Sequence, residues 1–310
     1  MDIGKSVFTG IPKEYFIPPK TEVVFVADLF ESDYQGGAEL TSEAIIKKSP
    51  YKIFKMHSAS LTEELLIANK NKYWVFGNYT QISEHLYDFI KDELPDLKYS
   101  ILEYDFKFCV WRSTNLHLNK TGFPCTCETE KHGLMITDFM MGAENLFWMA
   151  DKQLEFWINK IPGISRHSNN VILSSVFDDE TLKFLASLRK QNSIKNGKTA
   201  TLGSGSWIKG VQETGAWCHL KKKNFEQIPS LPYKEFLKKL SEYKEFVFMP
   251  LDKDTCPRVT IEAKLMGVDV IVNDNVLHGR EPWFIDKSPE ECTNYLKSRP
   301  KVFWDNIKLV

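Results

Sequence analysis

Short apolar runs alternate along this chain with stretches of helical period. Glu22–Asp28 (EVVFVAD), Tyr51–Met56 (YKIFKM), Lys72–Phe76 (KYWVF) and Tyr99–Tyr104 (YSILEY) predict buried strands. Ala38–Lys48, Thr62–Asn69 and Ile82–Leu94 predict the helices between them. Near-continuous apolar strands linked by amphipathic helices give parallel sheets covered on both faces. Residues 105–140 break the rhythm with a polar insertion bearing cysteines and histidines, and the aromatic-rich Ala143–Lys160 is expected to be helical. Pro162–Asn170 (PGISRHSNN) has the composition of a linker. The alternation then restarts with strands at Asn170–Ser175, Thr199–Gly203, Glu245–Met249 and Val268–Val272. Helices are expected over Asp179–Gln191 and Tyr233–Tyr243, and a further one opens near Pro257. The pattern predicts an α/β chain of two Rossmann-like domains, residues 1–163 and 164–310, facing across a cleft, with the last helix packing back on the first domain.

Composition narrows this picture without redirecting it. The chain has 310 residues, 43% hydrophobic and 26% charged, with 40 basic and 41 acidic side chains. A near-neutral balance disfavours strong nonspecific binding to nucleic acid. No apolar run approaches the roughly 18 residues of a membrane span, and Met1–Gly10 lacks the apolar region of a signal peptide. A cytoplasmic protein is the expectation. Six cysteines, unevenly spread, suggest reduced thiols or a metal site more than a disulfide framework.

In facing Rossmann-like domains, ligands bind at the carboxyl ends of the strands, and the unusual residues of this sequence fall there. Gly36 and Gly37 stand between the first strand and its helix, where the backbone can approach a ligand closely or simply turn. Gly203-Ser-Gly-Ser-Trp-Ile-Lys-Gly210 follows a later strand. It superficially resembles a phosphate-binding P-loop, but Lys209 precedes its glycine and no Ser or Thr follows to hold magnesium. Lys209 remains a candidate counter-charge for a diphosphate, with Ser204 and Gly205 beside it. Asp254 and Glu262 lie eight positions apart across a loop-to-helix junction, with Thr255 and Cys256 between them. Carboxylates accept hydrogen bonds from vicinal hydroxyls, and the helix N-terminus between them suits an anion. A ligand with hydroxyls at its ends and phosphates in its middle fits, and nucleotide sugars have that chemistry.

Taken in order, these three segments make the whole chain resemble a GT-B glycosyltransferase of the large retaining family with an acid-x7-acid motif, family 4-like. Gly36-Gly37-Ala38-Glu39 is similar to the motif that opens that family's first helix. Lys209-Gly210 is similar to its lysine-glycine at the donor phosphates, and Asp254 through Glu262 to the acid pair. The resemblance implies sugar transfer from a nucleoside-diphosphate sugar to an acceptor hydroxyl with retention, and no essential catalytic metal. By the same resemblance Asp254 would touch the donor sugar and Glu262 the ribose hydroxyls.

Three positions depart from the family pattern: Asp254 stands for the usual glutamate, Ser204 for an arginine, and Pro257 for a glycine whose N–H could meet phosphate. Arg258 is a candidate replacement for the missing guanidinium. Asp105, after the fourth strand, is placed to orient acceptor or sugar, or to cap a loop. His278 is placed to line the donor side, or to be a satisfied loop histidine. Asp252-x-Asp254 imitates the metal-binding Asp-x-Asp of the other glycosyltransferase fold, but it overlaps the acid pair near the chain end.

The insertion holds Cys109, His117, Cys125, Cys127 and His132. Cys109, Cys125, Cys127 and His132 are the expected ligands of a structural zinc, with unligated thiols the other reading. The acceptor is left open among a glycan, a lipid and a modified base in phage-type DNA. Two other readings are a catalytically silent nucleotide-sugar-binding protein and a zinc-stapled nucleic-acid-binding protein, the latter drawing on Lys221-Lys222-Lys223.

Overall fold

The structure is a computed structural model that describes residues 16–309, so Met1–Gly10 lies outside the described residues. The first half runs β1 (Val23–Ala27), α1 (Gly37–Lys47), β2 (Ile53–His57), α2 (Glu63–Ala68), β3 (Tyr73–Phe76) and α3 (Glu84–Glu93). It continues with β4 (Tyr99–Glu103), α4 (Thr114–Thr121), α5 (Lys131–Met141), β5 (Asn145–Trp148), α6 (Asp151–Lys160) and β6 (Asn170–Ile172). These strands form one six-stranded sheet in the order β2-β1-β3-β4-β5-β6, with every pairing parallel. Every residue of β1, β3, β4 and β5 is buried; β1 and β3 are apolar throughout, while β4 and β5 also bury Ser100, Glu103 and Asn145.

The second half runs α7 (Asp179–Gln191), β7 (Thr199–Leu202), α8 (Val211–Leu220), β8 (Phe225–Ile228), α9 (Tyr233–Leu240) and β9 (Glu245–Phe248). It ends with α10 (Arg258–Leu265), β10 (Asp269–Val272), α11 (Pro282–Ile285) and α12 (Pro289–Asp305). Its four-stranded parallel sheet has the order β10-β9-β7-β8. The architecture is therefore the expected α/β pair of Rossmann-like units. No helix among the described residues is long and apolar enough to cross a membrane.

Two expectations need correction. Asn170–Ser175, expected to open the second domain, instead supplies β6 to the first sheet, where Leu146 pairs Asn170 and Trp148 pairs Ile172. A strand's own pattern does not say which sheet it joins, and this one follows its linker directly. Ala143–Lys160 is not one helix. Asn145–Trp148 is a buried strand and the helix starts at Asp151. A four-residue apolar run carries no periodicity that separates strand from buried helix.

Strand order fixes where a ligand can bind. In the first sheet the chain reverses direction of growth between β1 and β3, and in the second between β7 and β9. Crevices open at such switch points, outside the carboxyl ends of the strands. The loop after β1 carries Gly36 and Gly37, the loop after β7 carries Lys209, and the loop after β9 carries Asp254.

The helix α12 crosses from one core to the other. Cys292 and Leu296 pack in the second domain's core with Leu265 and Trp283, whereas Phe303 and Trp304 pack with Val23, Ala44 and Phe147 of the first. The Phe147 and Phe303 ring centroids are 4.5 Å apart, and Trp304 Nε1 donates to the Ile45 carbonyl at 3.0 Å. Burying each of these aromatics stabilises by about 2–3 kcal/mol.

Candidate functional site

A cleft of about 750 Å³ lies between the sheets and is lined by Gly37, Thr41, Tyr104 and Ser175 from one side and by Lys209, Tyr233, Asp254, Thr255, Cys256, Arg258 and Glu262 from the other. Lys209 reaches it because of the residue that follows. Gly210 has φ of 60°, and a Cβ built there would sit 2.0 Å from the Met249 carbonyl oxygen. A side chain at this position would be both strained and in collision. The close approach lets Leu251 N donate to the Ile208 carbonyl at 2.9 Å, joining the loop after β7 to the loop after β9. Lys209 Nζ then lies 2.6 Å from Asp254 Oδ2, with 34% of the lysine side chain exposed. Asp254 is fixed in turn by its backbone, whose N–H donates to the Asn275 carbonyl and whose carbonyl accepts from Leu277 N.

Glu262 projects from the second turn of α10 and is buried. Its Oε1 accepts from Tyr233 Oη at 2.6 Å and from Arg258 Nε at 3.0 Å. Burial raises the Glu262 carboxyl above its ordinary range, and the Arg258 guanidinium pulls against that. Arg258, 5% exposed, also donates from Nη1 to the Val176 carbonyl at 2.6 Å and holds its guanidinium carbon 3.6 Å above the Phe177 ring. Its fork is thus directed at Glu262 and the interdomain crossing. The expected phosphate clamp is not what this geometry offers, since arginine and acid share one face of α10 at i and i+4.

The first domain closes the cleft from above. α1 points its N-terminus at it, and a Cβ on Gly37 would stand 3.7 Å from Arg258 Cβ, in ordinary contact. Thr41 Oγ1 and Ser175 Oγ are 3.0 Å apart, and Thr255 Oγ1 donates to the Tyr104 carbonyl at 2.6 Å across the domains. Thr255 and Cys256 line the cleft, and the threonine hydroxyl is engaged with the opposite domain. Gly36 caps α1 from just outside the lining.

Other expected site residues sit elsewhere. Asp105 accepts from Arg112 Nε at 2.7 Å and Lys107 Nζ at 3.2 Å, and does not line the cleft. Burial would raise its carboxyl, but Arg112 and Lys107 hold it well below the carboxylate range, so it is a structural anion and not a poised base. Burial raises neighbouring Glu103, which accepts from Lys107 Nζ at 3.3 Å and Tyr79 Oη at 3.2 Å. His278 is fully buried, with Nε2 at 3.1 Å from Thr260 Oγ1, its ring stacked on Trp283 and meeting Phe284 edge-on. Burial lowers it to about 3, so it is a neutral core histidine and not a donor-side ligand. Ser204 and Gly205 lie outside the lining, where Ser204 Oγ accepts from Ser206 N and closes a local turn.

In the insertion, the ligand atoms of Cys109, His117, Cys125 and Cys127 all lie within 4.8 Å of one another. His132 is not among them, because its Nε2 is 2.9 Å from the Lys107 carbonyl. Sequence reasoning paired the cysteines with the wrong histidine. It also passed over Tyr233, whose hydroxyl holds Glu262. That residue opens α9 just beyond the end of β8, where the rule that ligands sit outside strand ends points.

Comparison of the sequence with protein-family models gives no match, and comparison with curated proteins gives none either. Solved structures do share the fold. The catalytic domain of starch synthase IV from Arabidopsis thaliana, bound to ADP and acarbose, is similar with a TM-score of 0.58 over 93% of this chain and 93% of that one, at 8% identity. Anabaena Alr3699/HepE in complex with UDP and glucose is similar with a TM-score of 0.53, over 92% of this chain and 90% of that one, at 10% identity. Trehalose-6-phosphate synthase OtsA is similar with a TM-score of 0.50 over 93% and 95%, at 11% identity. At such identities the likeness carries the fold alone. This chain has the GT-B fold.

Proposed function

We propose that this protein transfers a sugar from a nucleoside-diphosphate sugar to an acceptor hydroxyl, with retention at the anomeric carbon. The observation that carries the reading is the meeting of Lys209, Asp254 and Glu262, from two loops and a helix, in one cleft at the switch point of the second sheet. Glu262, braced by Arg258 and Tyr233, accepts the ribose hydroxyls. Asp254 accepts from hydroxyls of the transferred sugar, and Lys209 leaves it to stabilise the negative charge that develops on the departing diphosphate. The N-termini of α1 and α10 face the same space and favour that charge. The acceptor enters from the first domain's side, past Thr41 and Tyr104. Nucleotide complexes of the starch synthase and HepE structures support the donor class.

A panel of UDP-, ADP- and GDP-sugars, scored by shift in melting temperature and by release of nucleoside diphosphate, tests the reading. One nucleotide series should stabilise the fold, and its sugar should be slowly hydrolysed. Asp254→Asn should retain nucleotide binding and lose release. Binding without any turnover would instead support the catalytically silent reading, and no binding across the panel would remove both. Product stereochemistry by NMR tests retention.

A further inference from the structure

Within the insertion between β4 and β5, α5 packs into the first domain's core through Met135, Ile136, Phe139 and Met140, whereas α4 has little core of its own. None of the residues of α4 is buried, and Trp111, Leu118 and Phe123 around it are exposed. Cys109, Cys125 and Cys127 are nevertheless buried beneath it. Their thiols converge with one imidazole nitrogen: His117 Nδ1 is 3.7 Å from Cys109 Sγ and 3.3 Å from Cys127 Sγ. In a tetrahedral zinc site with ordinary bond lengths, sulfur and nitrogen ligands stand about 3.6 Å apart and two sulfurs about 3.8 Å apart. The two sulfur–nitrogen spacings bracket that value, and all four ligand atoms lie within 4.8 Å of one another. We infer that Cys109, His117, Cys125 and Cys127 bind a structural zinc ion that fastens α4 and its flanking loops to the first domain.

The surrounding backbone is built to hold this shape. A Cβ on Gly133 in α5 would lie 2.0 Å from the Cys127 carbonyl oxygen, so the loop bearing two of the thiols seats against a helix with no side chain in the way. His117 presents Nδ1 to the thiols, which leaves Nε2 to carry the ring proton. The same staple reaches the cleft indirectly. Ser113, the N-cap of α4, donates from its hydroxyl to Asp252, two residues before Asp254. With three thiolates and one imidazole the donor set is closed, as in structural and not catalytic zinc sites.

Elemental analysis of full-length protein purified without chelator should find one zinc per chain. Fewer than one zinc per ten chains, or stoichiometric iron in its place, would overturn the assignment. His117→Ala should lose the metal, whereas His117→Cys should keep it by restoring a ligand, and His132→Gln should keep it unchanged. Zinc retained in His117→Ala, or lost in His132→Gln, would equally overturn it. Should His117→Ala fail to fold, the stoichiometry of the unaltered protein and of the His117→Cys and His132→Gln variants still decides the matter.

Discussion

Lys209 Nζ and Asp254 Oδ2 are 2.6 Å apart, so the cation proposed to meet a donor's phosphates and the acid proposed to meet its sugar are each other's partners. Replacing the lysine should therefore act on binding more than on folding. Lys209→Met should weaken nucleoside-diphosphate affinity about 10- to 100-fold, the equivalent of a charged hydrogen bond of about 1.5–3 kcal/mol. Stability should change by less than about 1 kcal/mol, because the pair is partly exposed. Calorimetric titration beside urea unfolding checks both, and unchanged affinity would remove Lys209 from the donor site.

Arg258 should behave in the opposite way. Arg258→Ala strands the buried Glu262 carboxylate with Tyr233 alone, which should cost about 3–5 kcal/mol of stability in denaturant unfolding. Adding Glu262→Gln to that variant should recover a large part of the loss. Loss of donor affinity with no loss of stability would show that the guanidinium meets phosphate after all.

Two glycines five positions apart in sequence, Gly210 and Gly215, should respond with opposite signs. Gly210→Ala forces a side chain into a left-handed backbone against the Met249 carbonyl, and should destabilise by about 2 kcal/mol or more. Gly215, inside α8, has nothing within 4 Å of an added Cβ. Gly215→Ala should stabilise by up to about 1 kcal/mol, because alanine is the better helix former. Shifts of the urea midpoint measure both.

Glu281 links the domains by accepting from the backbone N–H of Asp151 at 3.0 Å and from Trp283 Nε1. Burial pushes its carboxyl up to about 7, above the unfolded value of about 4.3. The folded state therefore holds the proton more tightly across that window, and stability from this group falls as pH rises toward 7. Glu281→Gln should gain stability relative to the parent between about pH 4.5 and 7, on the order of 3–4 kcal/mol at most. A difference that stays flat with pH would mean that the carboxyl titrates normally.

The strands that carry the cleft were legible because β1 and β3 are buried on both faces and apolar throughout, and β4 keeps an apolar centre at Ile101 and Leu102 despite Ser100 and Glu103. β5 was not, since its four residues lie among aromatics that suit a helix equally well. The site was legible where one short segment supplies it, as at Lys209-Gly210 and at Asp254 through Glu262. It was illegible where partners come from remote elements: Tyr233 reaches Glu262 from α9, and Arg112 neutralises Asp105 from a loop. His117 was lost to His132 for a related reason, because which imidazole meets the thiols depends on the direction in which α4 leaves Cys109. Arg258 is the exception. It stands at i,i+4 from Glu262 on one helix, the spacing at which opposite charges pair, so its partner is local in sequence.

α12 spends its first half in one core and its last turns in the other, and Pro300 stands between the two sets of contacts. A proline there cannot donate to the Leu296 carbonyl four residues back. The molecule thus carries its own articulated spine, whose weakest vertebra falls where the halves meet. A ligand that drew the two sheets together would flex this rod before it broke either core, and the closing of the cleft would be felt nearly fifty residues along the chain from Asp254.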